Sequence, residues 1–216
     1  EPTNTGWQHE LAVAHSRVGD LAQARGDLAG AERAFAQSLA IFERLAALGM
    51  RGGLGDGMLR VGYLKAFMDG TLGSQTARML DGTGVEITSR ETLVEILRLA
   101  APAGWPVAVH AIGDLANREA LDAFEETRTE WAPRGLRQRI EHAQLLAPED
   151  VGRFAKLGVA ASVQFSHATS DRDVADRYWT GKTDAAYAFR SLLDSGAVVA
   201  NGSDAPIEEL DPLAGI

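Results

Sequence analysis

Residues 107–114 read VAVHAIGD, a run that is apolar at nearly every position until a histidine, a glycine and an aspartate close it. A strand with one wet face alternates apolar and polar residues, so a run without alternation fits a strand covered on both faces, as in a parallel sheet. MLRVGYLKAFM (58–68), RQRIEHAQ (137–144), GVAASVQF (158–165) and AVVANGSD (197–204) share its character. Helical segments separate these runs. Thr88 followed by Glu91 spells a capping box ahead of Leu93, Ile96, Leu97 and Ala100. Pro148 suits the first turn of a helix through Val151, Phe154 and Leu157, ended by Gly158. Thr183 is placed to cap a helix through Tyr187, Leu192 and Leu193 that Gly196 closes. Strand and helix in regular alternation spell a βαβ series and an α/β fold.

Upstream of this series the period changes. From Trp7 to Leu48 there is no proline, and apolar residues recur at helical spacing: Leu11, Val18 and Leu21 on one stripe, Ala31, Phe35, Leu39, Phe42 and Leu45 on another. Gly26 and Asp27 supply the break between two helices, one tolerating a left-handed helix end and the other capping the next helix. Residues 1–50 are therefore expected to form an αα-hairpin, 51–57 (RGGLGDG) a flexible linker, and 58–216 the α/β domain. With Gly19, Gly26, Ala31 and Phe35 at its small and aromatic positions, the hairpin resembles one tetratricopeptide repeat. A single such unit cannot bury its own face. It is expected to pack on the rest of the chain or, in a noncatalytic interaction protein, to bind a partner peptide.

Composition narrows the function. A net charge of −9, from 21 basic and 30 acidic residues, disfavours a grip on phosphate backbones, so no nucleic acid partner is expected. The absence of cysteine excludes disulfides, thiolate metal sites and a cysteine nucleophile. No apolar run approaches the roughly 20 residues that cross a bilayer. EPTNTGWQHE at the start lacks the pattern of a secretory signal, and a cytoplasmic location without membrane contact is the expectation. No GxGxxG, P-loop or GxSxG follows a strand, which leaves nucleotide cofactors and serine hydrolysis unsupported.

Four polar residues fall late in, or just beyond, four of the apolar runs: Lys65, His110, His142 and Asp204. In a parallel α/β barrel those ends converge on one mouth. Singly, each has an ordinary reading: a strand-end histidine is commonly hydrogen-bonded structure, and Asp204 within GSDAP suits a turn. Four of them in the same phase favour a shared divalent metal, with zinc the foremost candidate. Imidazole and carboxylate are normal ligands, and a lysine can join them only once carbon dioxide has converted its amine to a carbamate. Asp69, Ser74, Gln75 and Thr76 form a polar loop after the Lys65 strand, and Gln164 and His167 lie at the exit of another strand. These six are the candidates for contact with a small-molecule substrate. Asp114 reads as a helix cap, and Glu141 should point away from its neighbour His142 if the strand is regular.

The motifs Leu64-Lys65 with MDGTLGSQTA (68–77), VAVHAIGD (107–114), RIEHAQ (139–144), SVQFSH (162–167) and NGSDAPIEELDPL (201–213) resemble, in order, the strand-end motifs of amidohydrolase family 3 of the metal-dependent amidohydrolase superfamily. The resemblance implies a (β/α)₈ TIM barrel, of which this chain carries about strands four to eight. It implies metal-dependent hydrolysis of amide-type carbon–nitrogen bonds by a metal-activated water. It also implies that Lys65 is a carboxylated bridging ligand, that His110 and His142 bind one metal, and that Asp204 binds the other and accepts the water's proton. The superfamily's His-x-His pair has no counterpart here. The expectation is therefore one weakly held zinc and much reduced activity of this chain alone, with self-association through the open sheet edges.

Overall fold

The computed structural model describes residues 62–216 continuously, with Gly52, Gly53, Gly55, Met58 and a scatter of helical positions between 29 and 44. The helical hairpin expected over 1–50 lies for the most part outside the described residues; of it, Ile41 packs against the main core. Gly52 departs from the free linker expected around it. Its N–H donates to the Gly104 carbonyl at 3.2 Å, and a Cβ there would stand 2.6 Å from the Pro106 ring.

Five parallel strands form one sheet in chain order: β1 (Leu64–Phe67), β2 (Val107–Ala111), β3 (Arg139–His142), β4 (Ala160–Val163) and β5 (Val199–Asn201). The expected runs are longer than the strands, because their outer residues turn into loops. Between the strands lie α1 (Arg90–Ala100), α2 (Asp114–Glu126), the short α3 (Arg128–Trp131), α4 (Pro148–Leu157), the short α5 (His167–Ser170), α6 (Arg172–Tyr178) and α7 (Phe189–Asp194). The α/β class and the βα repeat follow the sequence reading. No helix among the described residues is long and apolar enough to cross a membrane.

Register sorts the side chains into two faces. Leu64, Ala66, Val107, Val109, Ala111, Ile140, Ala161 and Val163 point one way, into a core shared with Leu93, Leu97, Leu121, Phe124, Phe154 and Leu192 of the helices. On the other face, Lys65 and Phe67 stand beside Ala108 and His110, then Arg139 and Glu141, then Ser162. Cover on both faces was the expectation. Instead this second face is only partly covered, with Lys65, Phe67, Arg139 and Ser162 half-buried and Ala200 exposed.

The caps show where local signals held and where they moved. Pro148 starts α4, and Gly158 ends it in the left-handed region at φ 76°. The cap of α1 is Ser89, one residue beyond Thr88; its hydroxyl accepts from the Thr92 N–H at 3.2 Å. Thr183 heads only a 3-10 turn, and Tyr187 sits at φ 51° outside the shortened α7. Asp114 is the first residue of α2, and its carboxylate accepts from the Leu80 and Leu115 N–H groups at 2.8 and 3.0 Å. The Arg78 carbonyl accepts from Leu115 and Ala116, so the loop after β1 caps the helix after β2.

Asn117, fully buried on α2, staples the ends of two strands. Its Nδ2 lies 2.9–3.3 Å from the carbonyls of Ala111, Ile112, Gly113 and Leu145. The Ala111, Ile112 and Gly113 carbonyls also accept backbone N–H groups, so Asn117→Leu takes its donor from the buried Leu145 carbonyl above all and should cost about 1–3 kcal/mol, the range for one unpaired buried polar group. Urea unfolding should show a lower midpoint with an unchanged slope. An unchanged midpoint would show that the staple carries no stability.

Candidate metal centre at the strand ends

The polar face of the sheet gathers a row of rings. Phe67 and His110 lie with centroids 5.3 Å apart, His110 and His142 4.7 Å apart and edge to face, and His142 and His167 6.1 Å apart and parallel within 12°. Lys65 Nζ stands 4.9 Å from the Phe67 ring. Its charge acts on both His110 and His142, and that of Asp204 acts on His142. Lys65, His110 and His142 thus lie together, and Asp204 stands within electrostatic range of His142.

His142 reaches this row by an irregularity. Glu141 pairs in register with His110 and shares its face, where it forms an ion pair with Arg139 at 2.5 Å, itself stacked 4.1 Å from the Tyr63 ring. Strict alternation would send His142 to the helix side. His142 instead adopts φ 73° at the centre of a tight turn in which the Ala143 N–H donates to the Glu141 carbonyl at 3.0 Å, and Ala143 follows at φ 46°. Such backbone is costly for residues with a Cβ, and strain of this kind gathers at functional sites.

Both imidazoles are held neutral and in one tautomer. Burial is the largest influence depressing the His110 pKa well below its ordinary value, with the charges of His142 and Lys65 adding to it. Burial and Lys65 bring His142 to about 4, against the opposing pull of Asp204 and Gln164. His110 Nε2 lies 2.9 Å from the Gly70 carbonyl, which can only accept, so Nε2 carries the proton and Nδ1 keeps its lone pair. His142 Nδ1 lies 2.8 Å from Gln164 Oε1, which leaves the Nε2 lone pair available. A neutral ring whose second nitrogen donates to an oxygen is the arrangement of a metal-bound histidine. Among the described residues no group of three His, Asp or Glu gathers to hold an ion by itself.

The other expected residues take varied places. Asp69 is buried beneath the loop, its Oδ1 3.6 Å from His110 Nε2. It is 1% exposed, and its oxygens accept from the backbone N–H groups of Arg78, Ile112 and Gly113 at 2.8, 3.0 and 2.8 Å. Burial pushes its pKa up to about 7 despite these donors. Ser74 and Thr76 share their hydroxyl hydrogen bonds with Thr71. Gln75, at φ 57°, lines a separate cavity of about 320 Å³ with Leu72, Met79, Trp179 and Lys182. Gln164 orients His142, and Asp204 is exposed at φ 54° beyond β5. The role of Gly70 and the partners of His167 were not read from the sequence; a backbone carbonyl carries no residue signature, and glutamines in loops look ordinary.

The depressed His142 pKa has a signed consequence for the metal-free chain. Between the ordinary histidine value of 6.5 and about 4, the unfolded chain takes up a proton that folded His142 refuses. Its contribution to stability is complete above pH 6.5 and is lost as pH falls toward 4. Thermal melts across this range should show a shallower acid decline for His142→Asn than for the wild type. Parallel curves would contradict a buried neutral ring.

Comparison with known proteins gives the family. Residues 12–216 match the amidohydrolase family, a span that includes much of the segment where the hairpin is expected. The Arabidopsis thaliana protein LONG AFTER FAR-RED 3 is 40% identical over 167 residues, covering 73% of this chain and 29% of the relative. YtcJ of Bacillus subtilis is 39% identical over 163 residues, covering 72% and 30%. The solved structure of a metal-dependent hydrolase from Pyrococcus furiosus superposes with a TM-score of 0.71 at 32% identity, over 82% of this chain and 37% of that one. The chain thus spans under a third of the two curated relatives and, with a five-stranded parallel sheet bearing strand-end histidines, belongs to the amidohydrolase family.

Proposed function

We propose that this chain forms part of a metal-dependent hydrolase that cleaves amide-type, non-peptide carbon–nitrogen bonds in small molecules with water. The observation that carries the reading is the pair of neutral rings at 4.7 Å, each with its second nitrogen held by an oxygen so that one lone pair on each is left for an ion. The family and the likeness to the Pyrococcus furiosus metal-dependent hydrolase support the same chemistry.

His110 through Nδ1, His142 through Nε2 and Lys65 as its carbamate would hold a zinc ion. Bound there, zinc would polarise a carbonyl and lower the pKa of a water. Asp204, exposed beyond β5 and acting electrostatically on His142, would take a proton from the attacking water and return it to the departing amine. Gly70 and Gln164 keep the two rings in their ligating tautomers. The loop carrying Ser74, Gln75 and Thr76 and the segment with Gln164 and His167 would border the substrate. The β5 edge, with Val198 49% exposed, offers a surface on which copies of the chain would associate.

Elemental analysis after equilibration with zinc and dialysis tests the site. The wild type should retain up to one equivalent, and His110→Ala or His142→Ala should lose it. Gln164→Leu, which removes only the orienting oxygen, should weaken zinc binding by about 10–100-fold. Metal kept equally by wild type and both histidine variants would overturn the assignment. Release of amine from a panel of simple amides by the zinc-loaded protein, abolished by Asp204→Asn, would establish the reaction; release that Asp204→Asn leaves unchanged would reject the role given to Asp204.

A further inference from the structure

The end of the ring row carries a buried hydrogen-bond donor with no acceptor among the described residues. Gln144, just past β3, places its Nε2 3.2 Å from Asp171 Oδ2 and 3.2 Å from His167 Nδ1. The Tyr187 hydroxyl donates to the same Asp171 oxygen at 2.9 Å, and the Tyr187 N–H donates to the Gln144 carbonyl at 2.6 Å. A carboxylate beside a hydroxyl donor only accepts, so the face of Gln144 turned to Asp171 is its NH₂ group, and the second hydrogen of that group meets His167 Nδ1. Nδ1 therefore holds a lone pair, and the proton of the neutral ring lies on Nε2.

That Nε2 is buried in a residue only 6% exposed and makes no hydrogen bond to the described residues. The nearby carboxylate oxygen, Glu208 Oε1, stands 4.0 Å away, beyond hydrogen-bond reach, and accepts from the Ser170 hydroxyl at 2.6 Å. A buried donor without an acceptor is expensive and rare in folded proteins. Here a chain of three residues enforces it, beside the ring of His142. We propose that His167 Nε2–H is a built donor for a carbonyl or carboxylate oxygen of the substrate, with Gln144, Asp171 and Tyr187 as positioning residues that lock its tautomer. The inference rests on the hydrolase reading for what supplies that oxygen.

Nuclear magnetic resonance of the full chain labelled with ¹⁵N-histidine tests the tautomer without reference to activity. His167 should show the Nε2–H form at neutral pH. Gln144→Glu replaces both donors by acceptors and should move the proton to Nδ1 or protonate both nitrogens. Asp171→Asn, read if the first variant does not fold, should give a mixture of tautomers. N-acetylglycine, which offers an amide carbonyl and a carboxylate, should shift the Nε2–H signal, and His167→Asn should weaken its binding about tenfold, the loss of one hydrogen bond. An Nδ1–H form in the wild type, a tautomer indifferent to these variants, or a signal that N-acetylglycine leaves in place would overturn the proposal. A chain that passes these tests yet keeps metal equally in the wild type and the His110→Ala and His142→Ala variants would fail the hydrolase reading alone.

Discussion

The order at the strand ends hangs on one carboxylate out of reach of water. Asp69 leaves β1 and collects three backbone N–H groups from two distant segments, Arg78 on its own loop and Ile112-Gly113 at the end of β2. With those fixed, the next residue, Gly70, turns its carbonyl to His110, and the Arg78 carbonyl meets the first free donors of α2. The packing is so close that a Cβ at Gly113 would come 2.1 Å from the Arg78 oxygen. A carboxylate satisfied by backbone donors tolerates the loss of solvent that would otherwise neutralise it. Here burial still leaves its pKa near 7, so the clamp stands close to the edge of its own ionisation.

How far the sequence discloses this depends on which physics is local. Apolar runs that carry Lys65, His110 and His142 late along their length can be seen because strand periodicity and the cost of burying polar groups are both written along the chain. The proline and glycine around α4 are equally plain, since they limit backbone conformation wherever they stand. Asp69 reads as polar and therefore exposed, because nothing nearby in sequence announces donors that arrive from residues 112 and 113. The turn at His142 is silent for another reason. It uses a left-handed conformation without glycine or asparagine, and only the surrounding contacts hold it there. The helix expected from Thr183 gives way because the Tyr187 N–H and hydroxyl bind Gln144 and Asp171, which removes that residue from the helix. Gln144 and Asp171 themselves sit among ordinary loop residues, and their link to His167 exists only in three dimensions.

Gln164 after β4 orients His142, and Gln144 after β3 orients His167, so each ring takes its partner from the adjoining connection; Asp171, which holds Gln144, follows His167 on the same connection. Each ring is thus positioned by a neighbouring βα unit, so the geometry of the site reports on the docking of units against one another, and a shift between adjacent strands would reach the imidazoles before it reached the core.

The two faces of the sheet also divide the selection that acts on them. The helix-side face, from Leu64 to Val163, holds nearly all the aliphatic burial, whereas Tyr63, Lys65, His110, Arg139, Glu141 and Ser162 occupy the other. Replacements on the polar face leave the aliphatic packing behind them in place. Such a sheet can drift in chemistry while conserving its architecture, so a lineage built on it can sample new ligand sets and new substrates without first passing through unfolded ancestors.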